Sequence, residues 1–174
     1  AAGAWGMLNT DWGDFGHYQH MGLSWHGYLL GAAQGWTGGT TSDEEFDAAF
    51  GPLFFGEEHE VIMKAFDQLA RTNDLPGIPG INRSNTALAL FDDPLAGETV
   101  EGEDALPTGI LRELHTLGAR AAAVCDLLAP GHRRELTLHE MASAGRLISY
   151  AALKTVQGQL LRAILRQASV DQKL

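Results

Sequence analysis

The stretch LPTGILRELHTLGARAAAVCDLLAPGHRRELTLHEMASAGRL, residues 106–147, holds two apolar stripes separated by a Pro-Gly turn. Apolar residues in the first stripe recur every three or four positions, which predicts a helix over about 106–128. The second stripe continues past the quoted residues and predicts a helix over about 135–168. Two long amphipathic helices joined by a short turn are most simply an antiparallel hairpin. We therefore predict a mainly α fold, a helical bundle built on this hairpin.

The stretch LSWHGYLLGAAQGW, residues 23–36, is predicted to be a buried helix with glycines along one face. Gly27, Gly31 and Gly35 stand four apart, which places them on a single stripe. Small residues on one stripe let another backbone approach closely. The stripe is typical of a helix that packs onto a sheet.

Two more helices are predicted between this one and the hairpin. Ser42, with Glu45 three positions later, has the pattern of a capping box, so a helix of roughly 43–54 should follow. Apolar residues at helical spacing predict a further helix that ends near Asn73. The next stretch, 74–85, holds two Pro-Gly pairs and should be irregular. The six residues after it, TALALF, fit either a short strand or a helical turn.

The first element of the chain is predicted to be a single leading strand. AWGMLNTD, residues 4–11, is an apolar run closing on polar residues, which is typical of a buried strand that ends in a loop. A lone strand has unpaired backbone groups and must pair with something. Because the chain begins at Ala1 with no Met, we expect a fragment, a processed chain or a truncated reading frame. A fragment should self-associate through this strand and the glycine face of helix 23–36.

Length and charge limit the classes of function. At 174 residues the chain has the size of one domain, and 45% hydrophobic with 20% charged residues is ordinary for soluble globular proteins. A formal net charge of −10 would repel phosphate backbones, so nucleic acid is not a predicted partner. No apolar run reaches the roughly 18 residues that cross a bilayer, so no membrane partner is predicted either. The single cysteine, Cys125, excludes an internal disulfide.

The segment DWGDFGHYQH, residues 11–20, combines carboxylates, histidines and aromatic rings directly after the predicted strand. Carbohydrate sites need this mixture, because an indole stacks on the apolar face of a pyranose and a carboxylate accepts hydrogen bonds from its hydroxyls. Trp12 and Asp14 are two apart, so on an extended segment they would point the same way and meet one sugar ring together. His17 lies in the same loop and completes the candidate substrate-binding set.

The order of strand, T-D-W-G-D, loop and helix resembles the eighth strand and following helix of the barrel in the β-N-acetylhexosaminidases, glycoside hydrolases of family twenty. In that family a W-x-E or W-x-D triplet ends the last strand. The resemblance covers residues 4–36. It implies that Trp12 is the stacking platform for an N-acetylhexosamine ring and that Asp14 binds the outer hydroxyls. The family more often carries Glu at the position of Asp14.

The resemblance also implies how the chain is divided. Residues 1–36 would be the last strand, loop and helix of a (β/α)₈ barrel, and residues 40–174 a C-terminal helical region. The family's retaining, substrate-assisted mechanism uses an adjacent Asp-Glu pair on an earlier strand. The pair Asp43-Glu44 lies at a predicted helix start instead, so no catalytic residue is assigned and the chain alone should be inactive. The implied partner is the N-acetylhexosamine end of a glycan, and no cofactor is predicted.

Two other interpretations of the N-terminal loop remain open. His17 and His20, with Asp11 and Asp14 nearby, are residue types that ligate divalent metals, although the spacing matches no standard motif. The second interpretation assigns the chain to a different class of protein. It would be a self-standing helical interaction module without catalytic activity, whose aromatic loop binds a partner or nothing.

The remaining tryptophans and histidines are predicted to have structural roles. Trp5, Trp25 and Trp36 are interpreted as packing residues, and His26 as a core histidine with a hydrogen-bond partner. The other histidines carry no functional signal: His59, His115, His132 and His139.

Overall fold

A computed structural model describes residues 3, 5–11, 19–76, 84–100 and 105–171. These residues are mainly helical, as the sequence predicts. They form six α-helices, which we number α1 to α6, with a 3₁₀ turn at Arg71–Asn73 after α3. The helices are α1 (Met21–Thr37), α2 (Asp43–Phe54), α3 (His59–Ala70), α4 (Asn85–Phe91), α5 (Thr108–Leu128) and α6 (Glu135–Asp171).

The α5–α6 hairpin is the frame of the bundle, and its antiparallel arrangement is confirmed. Contacts between the two helices run in opposite order along the chain: Thr108 bonds to Gln159, His115 Nδ1 shares a hydrogen bond of 2.7 Å with Ser149 Oγ, and Asp126 accepts from Arg146. The helices are closest where Gly118 meets Gly145. A Cβ built on either glycine would lie 2.5 Å from the carbonyl oxygen of the other. Only the absence of a side chain at both positions allows this crossing.

A hydrophobic cluster lies on each side of the glycine crossing. The first joins α2 and α3 to the turn end of the hairpin. The second joins α4 and the residues before α5 to the open end. The most deeply buried large residues are Phe55, Ile62, Leu138 and Met141 in the first cluster and Leu111 and Leu114 in the second.

Helix α2 is held at both ends. The predicted capping box is confirmed: the backbone N–H of Glu45 donates to Ser42 Oγ, and the backbone N–H of Ser42 donates to Glu45 Oε2. At the other end, side chains of the hairpin turn donate to carbonyls that α2 leaves unpaired. Arg133 Nη2 donates to Leu53 O at 2.6 Å, and Arg134 Nε donates to Phe54 O at 3.2 Å. This satisfies the carboxyl end of a helix and fixes α2 to the hairpin.

The ambiguous segment TALALF belongs to helix α4. Ser84 caps its first turn by accepting from the backbone N–H of Ala87. Lys154 of α6 satisfies the other end by donating to Leu90 O at 2.9 Å and Asp92 O at 2.5 Å. Contacts to α6 therefore settle a choice that the local pattern leaves open. Of the stretch predicted to be irregular, residues 77–83 lie outside the part that the structure describes.

The predicted leading strand over 4–11 is not found in the described residues 5–11, which form neither strand nor helix. The segment instead runs antiparallel along α1. Asn9 Nδ2 donates to Gly27 O at 2.8 Å, and Met7 Cε lies 3.7 Å from a Cβ built on Gly35. A strand requires ladder hydrogen bonds to a neighbour, and no strand occurs among the described residues to supply them.

Candidate functional site

All three predicted sugar-binding residues, Trp12, Asp14 and His17, lie outside the described residues. The residues on either side of that segment, Asp11 and Gln19, are described, as are the extended segment before it and helix α1 after it. The contacts that the structure describes are those of the residues flanking this segment.

The two flanking residues contact each other directly. Gln19 Nε2 donates to Asp11 Oδ2 at 2.5 Å and to Ser24 Oγ at 3.0 Å. The Ser24 hydroxyl donates to the same Asp11 oxygen. One carboxylate oxygen thus collects two donors, one from each side of the start of α1. Hydrogen bonds to an ionised acceptor are stronger than neutral ones, so this cluster, which we call the Asp11 clamp (Asp11, Gln19, Ser24), ties the segment's two ends together.

The first turn of α1 is seated on α6. His20 Nε2 shares a hydrogen bond of 3.0 Å with Ser143 Oγ, across 123 positions of sequence. Two positions later, Gly22 is buried against α6: a Cβ there would lie 3.2 Å from Thr137 Cγ2 and would collide with the Glu140 carboxylate. We call this contact (His20 and Gly22 against Thr137, Glu140 and Ser143) the α6 seat.

Helix α1 has no N-terminal cap of its own. His20 occupies the N-cap position without a side-chain cap hydrogen bond, and the first turn carries no acidic residue. The Glu140 carboxylate, lying against Gly22, places a negative charge where the helix dipole favours one. The amino end of α1 therefore has two carboxylates beside it, Asp11 from the preceding segment and Glu140 from α6.

The metal-ligand interpretation receives no support from the described residues. Asp11 is bonded to Gln19 and Ser24, whereas His20 is bonded to Ser143, so the two side chains have different sets of partners. Within the described ranges, no group of three or more His, Cys, Asp or Glu residues could hold a metal ion.

The packing role predicted for the tryptophans is wrong for Trp5 and Trp36. Trp5 is fully exposed and Trp36 is 93% exposed, while Trp25 is 40% exposed. Leu8 is also exposed, at 86%, and so is Met7, at 60%, although Met7 lies along α1. The segment that was predicted to be a buried strand is therefore exposed throughout residues 5–10.

His26 has the predicted hydrogen-bond partner, but it is not a core residue, because 23% of its side chain is exposed. Its Nε2 lies 2.6 Å from Asp47 Oδ1, and its ring packs against Phe46, Phe50 and Phe66 at centroid distances of 5.1–5.4 Å. This contact joins α1 to α2 and α3.

His132 has a structural role that the sequence did not indicate. Its Nε2 shares a hydrogen bond of 2.9 Å with Phe55 O, so it completes the cap of α2 next to the two arginines of the turn. The only local signal is that His132 stands next to Arg133 and Arg134, directly after the Pro-Gly turn.

Cys125 is a packing residue. It is completely buried in the first hydrophobic cluster. Burial, with a smaller contribution from Asp126, raises the pKa of the Cys125 thiol to about 11. The reactive thiolate is therefore scarce at neutral pH.

No helix in the described part of the chain is long and apolar enough to cross a membrane. Comparison with models of protein families, with curated proteins and with solved structures found no match to this chain.

Proposed function

We propose that this chain is the C-terminal part of a glycoside hydrolase that resembles the β-N-acetylhexosaminidases and acts on N-acetylhexosamine-containing sugars. The observation that carries the proposal is the pairing of segment 5–11 with the glycine face of α1. Contacts from Met7 to Gly35 and from Asp11 to Ser24 span a helix length of about 16 Å. The four chain steps from Met7 to Asp11 cover about 13 Å when fully extended, so the segment must be nearly extended.

An extended apolar segment, followed by a loop and then by an antiparallel helix that packs back on it, is the repeating unit of a (β/α)₈ barrel. In such a barrel the strand is covered on one face by its helix and pairs at both edges with neighbours. The exposure of residues 5–10, with Trp5 and Leu8 among them, fits a strand whose neighbours belong to another part of the protein. The proposal assigns residues 1–36 to the barrel and residues 40–174 to a helical region that supports it.

Within this proposal, residues 12–18 follow the carboxyl end of the extended segment 5–11, which corresponds to the position where barrel enzymes place their active-site residues. Trp12 would stack on the sugar ring, Asp14 would accept hydrogen bonds from its hydroxyls, and His17 would contribute a further polar contact. The catalytic Asp-Glu pair would come from an earlier strand of the same enzyme, so this chain contributes to the subsite without performing the reaction.

A sugar titration of the isotopically labelled chain tests the proposal. The four tryptophans give four indole N–H signals in a nitrogen–proton NMR spectrum. Addition of N-acetylglucosamine or its β-linked dimer should shift the Trp12 signal saturably, because a stacked indole senses the sugar face. Trp12→Ala should abolish binding, whereas Trp36→Ala, at an exposed position outside the loop, should not. Saturable binding that survives Trp12→Ala would contradict the assignment, and so would a Trp12 signal that never moves.

A self-standing helical interaction module is the second candidate function, and one observation favours it. The end of α6 extends beyond the residues paired with α5 and exposes four large aliphatic side chains within two turns. They are Leu160, Leu161, Ile164 and Leu165. Sedimentation of the chain over a wide concentration range, with and without Leu161→Ser and Leu165→Ser, distinguishes the two candidates. Self-association lost in that double variant, without any sugar-dependent Trp12 shift, would favour the module.

A further inference from the structure

We infer that two copies of this chain associate through one face of α6, with the two helices parallel and in register so that Gln157 of each copy meets Gln157 of the other. The inference names a partner for the exposed part of α6 that favours the second candidate function. It does not depend on sugar binding, so it stands or falls separately from the sugar titration.

The face consists of residues alternately three and four positions apart in the second half of α6. Four of the five residues are large and apolar, and these four are 42–61% exposed. The alternating spacing places them in one line along the helix, about 21 Å long. We call this line the α6 stripe: Tyr150, Leu153, Gln157, Leu160 and Ile164.

The α6 stripe lies opposite the face by which this part of α6 packs on the bundle. The buried residues between its members are Ala151, Ala152, Thr155 and Gly158. A Cβ built on Gly158 would collide with Pro94 O, so the bundle side of the helix is closely covered. A second helix can reach the stripe from the opposite side without displacing any element of the described chain.

The residue types of the stripe favour another helix as its occupant. Apolar residues alternately three and four positions apart are the pattern by which two helices interlock their side chains. Leucine stands at one of the two alternating positions, as Leu153 and Leu160, and a β-branched residue, Ile164, stands at the other. That combination is typical of parallel pairs of helices.

Gln157, the polar residue of the stripe, decides the orientation. In a parallel pair in register its amide meets the same amide of the other copy, and each can donate to the other. In an antiparallel pair it would face Leu153 or Leu160, and a covered amide would lose its partners in water without gaining new ones. A second copy in parallel is therefore the occupant that satisfies Gln157.

The distribution of charge also favours contact between copies at this face. The formal net charge of −10 opposes association over most of the surface. No acidic residue stands between Glu140 and Asp171, so the stripe brings no carboxylates together. Two helices about 10 Å wide in contact over about 21 Å bury less than the roughly 1,200 Å² of a standard stable interface, so the dimer should be weak and reversible.

Sedimentation of the full chain from about 5 to about 500 μM tests the contact. The average mass should rise towards that of a dimer. Leu160→Ser combined with Ile164→Ser should raise the dimer Kd at least about a hundredfold, because four apolar side chains leave the contact. Leu127→Ser, at an exposed leucine of α5, should leave the Kd unchanged. A monomer at every concentration, or association that survives the double variant, would overturn the inference.

Gln157→Cys tests the orientation by cross-linking. Oxidation with diamide should link two copies, because a parallel pair in register brings the substituted positions within the Cα separation of about 4.4–6.8 Å that a disulfide needs. Cys125, the one natural cysteine, is buried and should not compete. Leu127→Cys should stay unlinked under the same conditions. A Gln157→Cys chain that sediments as a dimer but forms no link would overturn the parallel arrangement.

Discussion

Gly118→Ala should destabilise the bundle, although alanine is the better helix former. The new Cβ would lie 2.5 Å from Gly145 O, 3.1 Å from the backbone nitrogen of Ser149 and 3.2 Å from Ile148 Cβ. Two of these three obstacles are backbone atoms, so no rotation of a side chain relieves the contact. The helices must separate by at least about 0.5 Å to reach the closest approach that Cβ atoms tolerate.

The cost follows from what such a separation does to the two hydrophobic clusters. A gap of about 0.5 Å forfeits roughly a quarter of the dispersion energy of each atom pair at the interface. Overpacking of this kind costs about 1–3 kcal/mol, and a rigid backbone obstacle places Gly118 near the upper end. Replacing glycine by alanine inside a helix returns about 1 kcal/mol. The expected net loss is about 2 kcal/mol in the free energy of unfolding, which lowers the Tm by about 4–8 °C for a chain of this size.

Urea unfolding followed by circular dichroism measures this loss. Gly109→Ala is the matched control, because it lies on the same helix and nothing approaches within 4 Å of its Cβ position. It should not lower stability. Since Gly118 and Gly145 face each other, Gly118→Ala combined with Gly145→Ala should cost less than the sum of the two single changes, the helices having already moved apart. Stability of Gly118→Ala equal to that of Gly109→Ala, or strict additivity in the double variant, would refute the reasoning.

Further substitutions test other contacts. Arg134→Met should cost about 1–2 kcal/mol in urea unfolding, because it removes the donor to the end of α2 and the cation lying 4.1 Å above an aromatic ring. Gly31→Ala should displace the asparagine that bonds to α1 and so speed limited proteolysis within residues 5–11, with a change in global stability under about 1 kcal/mol. Cys125 should resist alkylation in the native chain at pH 8 and should react only on unfolding, because it is buried and its pKa of about 11 keeps the thiol protonated. Rapid labelling of the native chain would contradict this. In an active enzyme that contains this chain, Trp12→Ala should lower kcat/KM by about tenfold or more, whereas Trp36→Ala should leave it unchanged.

Local signals were sufficient for several helices. The capping box of Ser42 and Glu45 predicted the start of α2 correctly, because capping depends on residues three positions apart. The two apolar stripes predicted the hairpin for a similar reason, since helical periodicity is itself a local property. The glycine stripe predicted a buried helix packed onto a sheet, and this prediction is wrong for the described residues. Only Gly22 of α1 is buried, and side-chain atoms of Asn9 and Met7 lie along the stripe instead of a sheet.

Other features depend on partners distant in sequence and could not be predicted. TALALF is helical because Lys154 satisfies the end of α4 from α6, 62–64 positions away. Trp5 is exposed because no helix of the described chain packs over it, and the composition of the segment does not predict which elements will pack together. Apolar residues are usually buried, which is why the packing prediction failed there.

The chemistry of the residues around the candidate site also depends on partners that local sequence does not reveal. A carboxylate next to a tryptophan in a loop fits sugar binding, metal binding or a structural role, and the residue types do not choose among them. Asp11 takes the structural role because Gln19 and Ser24 bring two donors to one of its oxygens, and a carboxylate that already accepts two hydrogen bonds has less to gain from a further ligand. The residue types alone therefore leave the role of Asp11 open, and contacts eight and thirteen positions away in the sequence settle it.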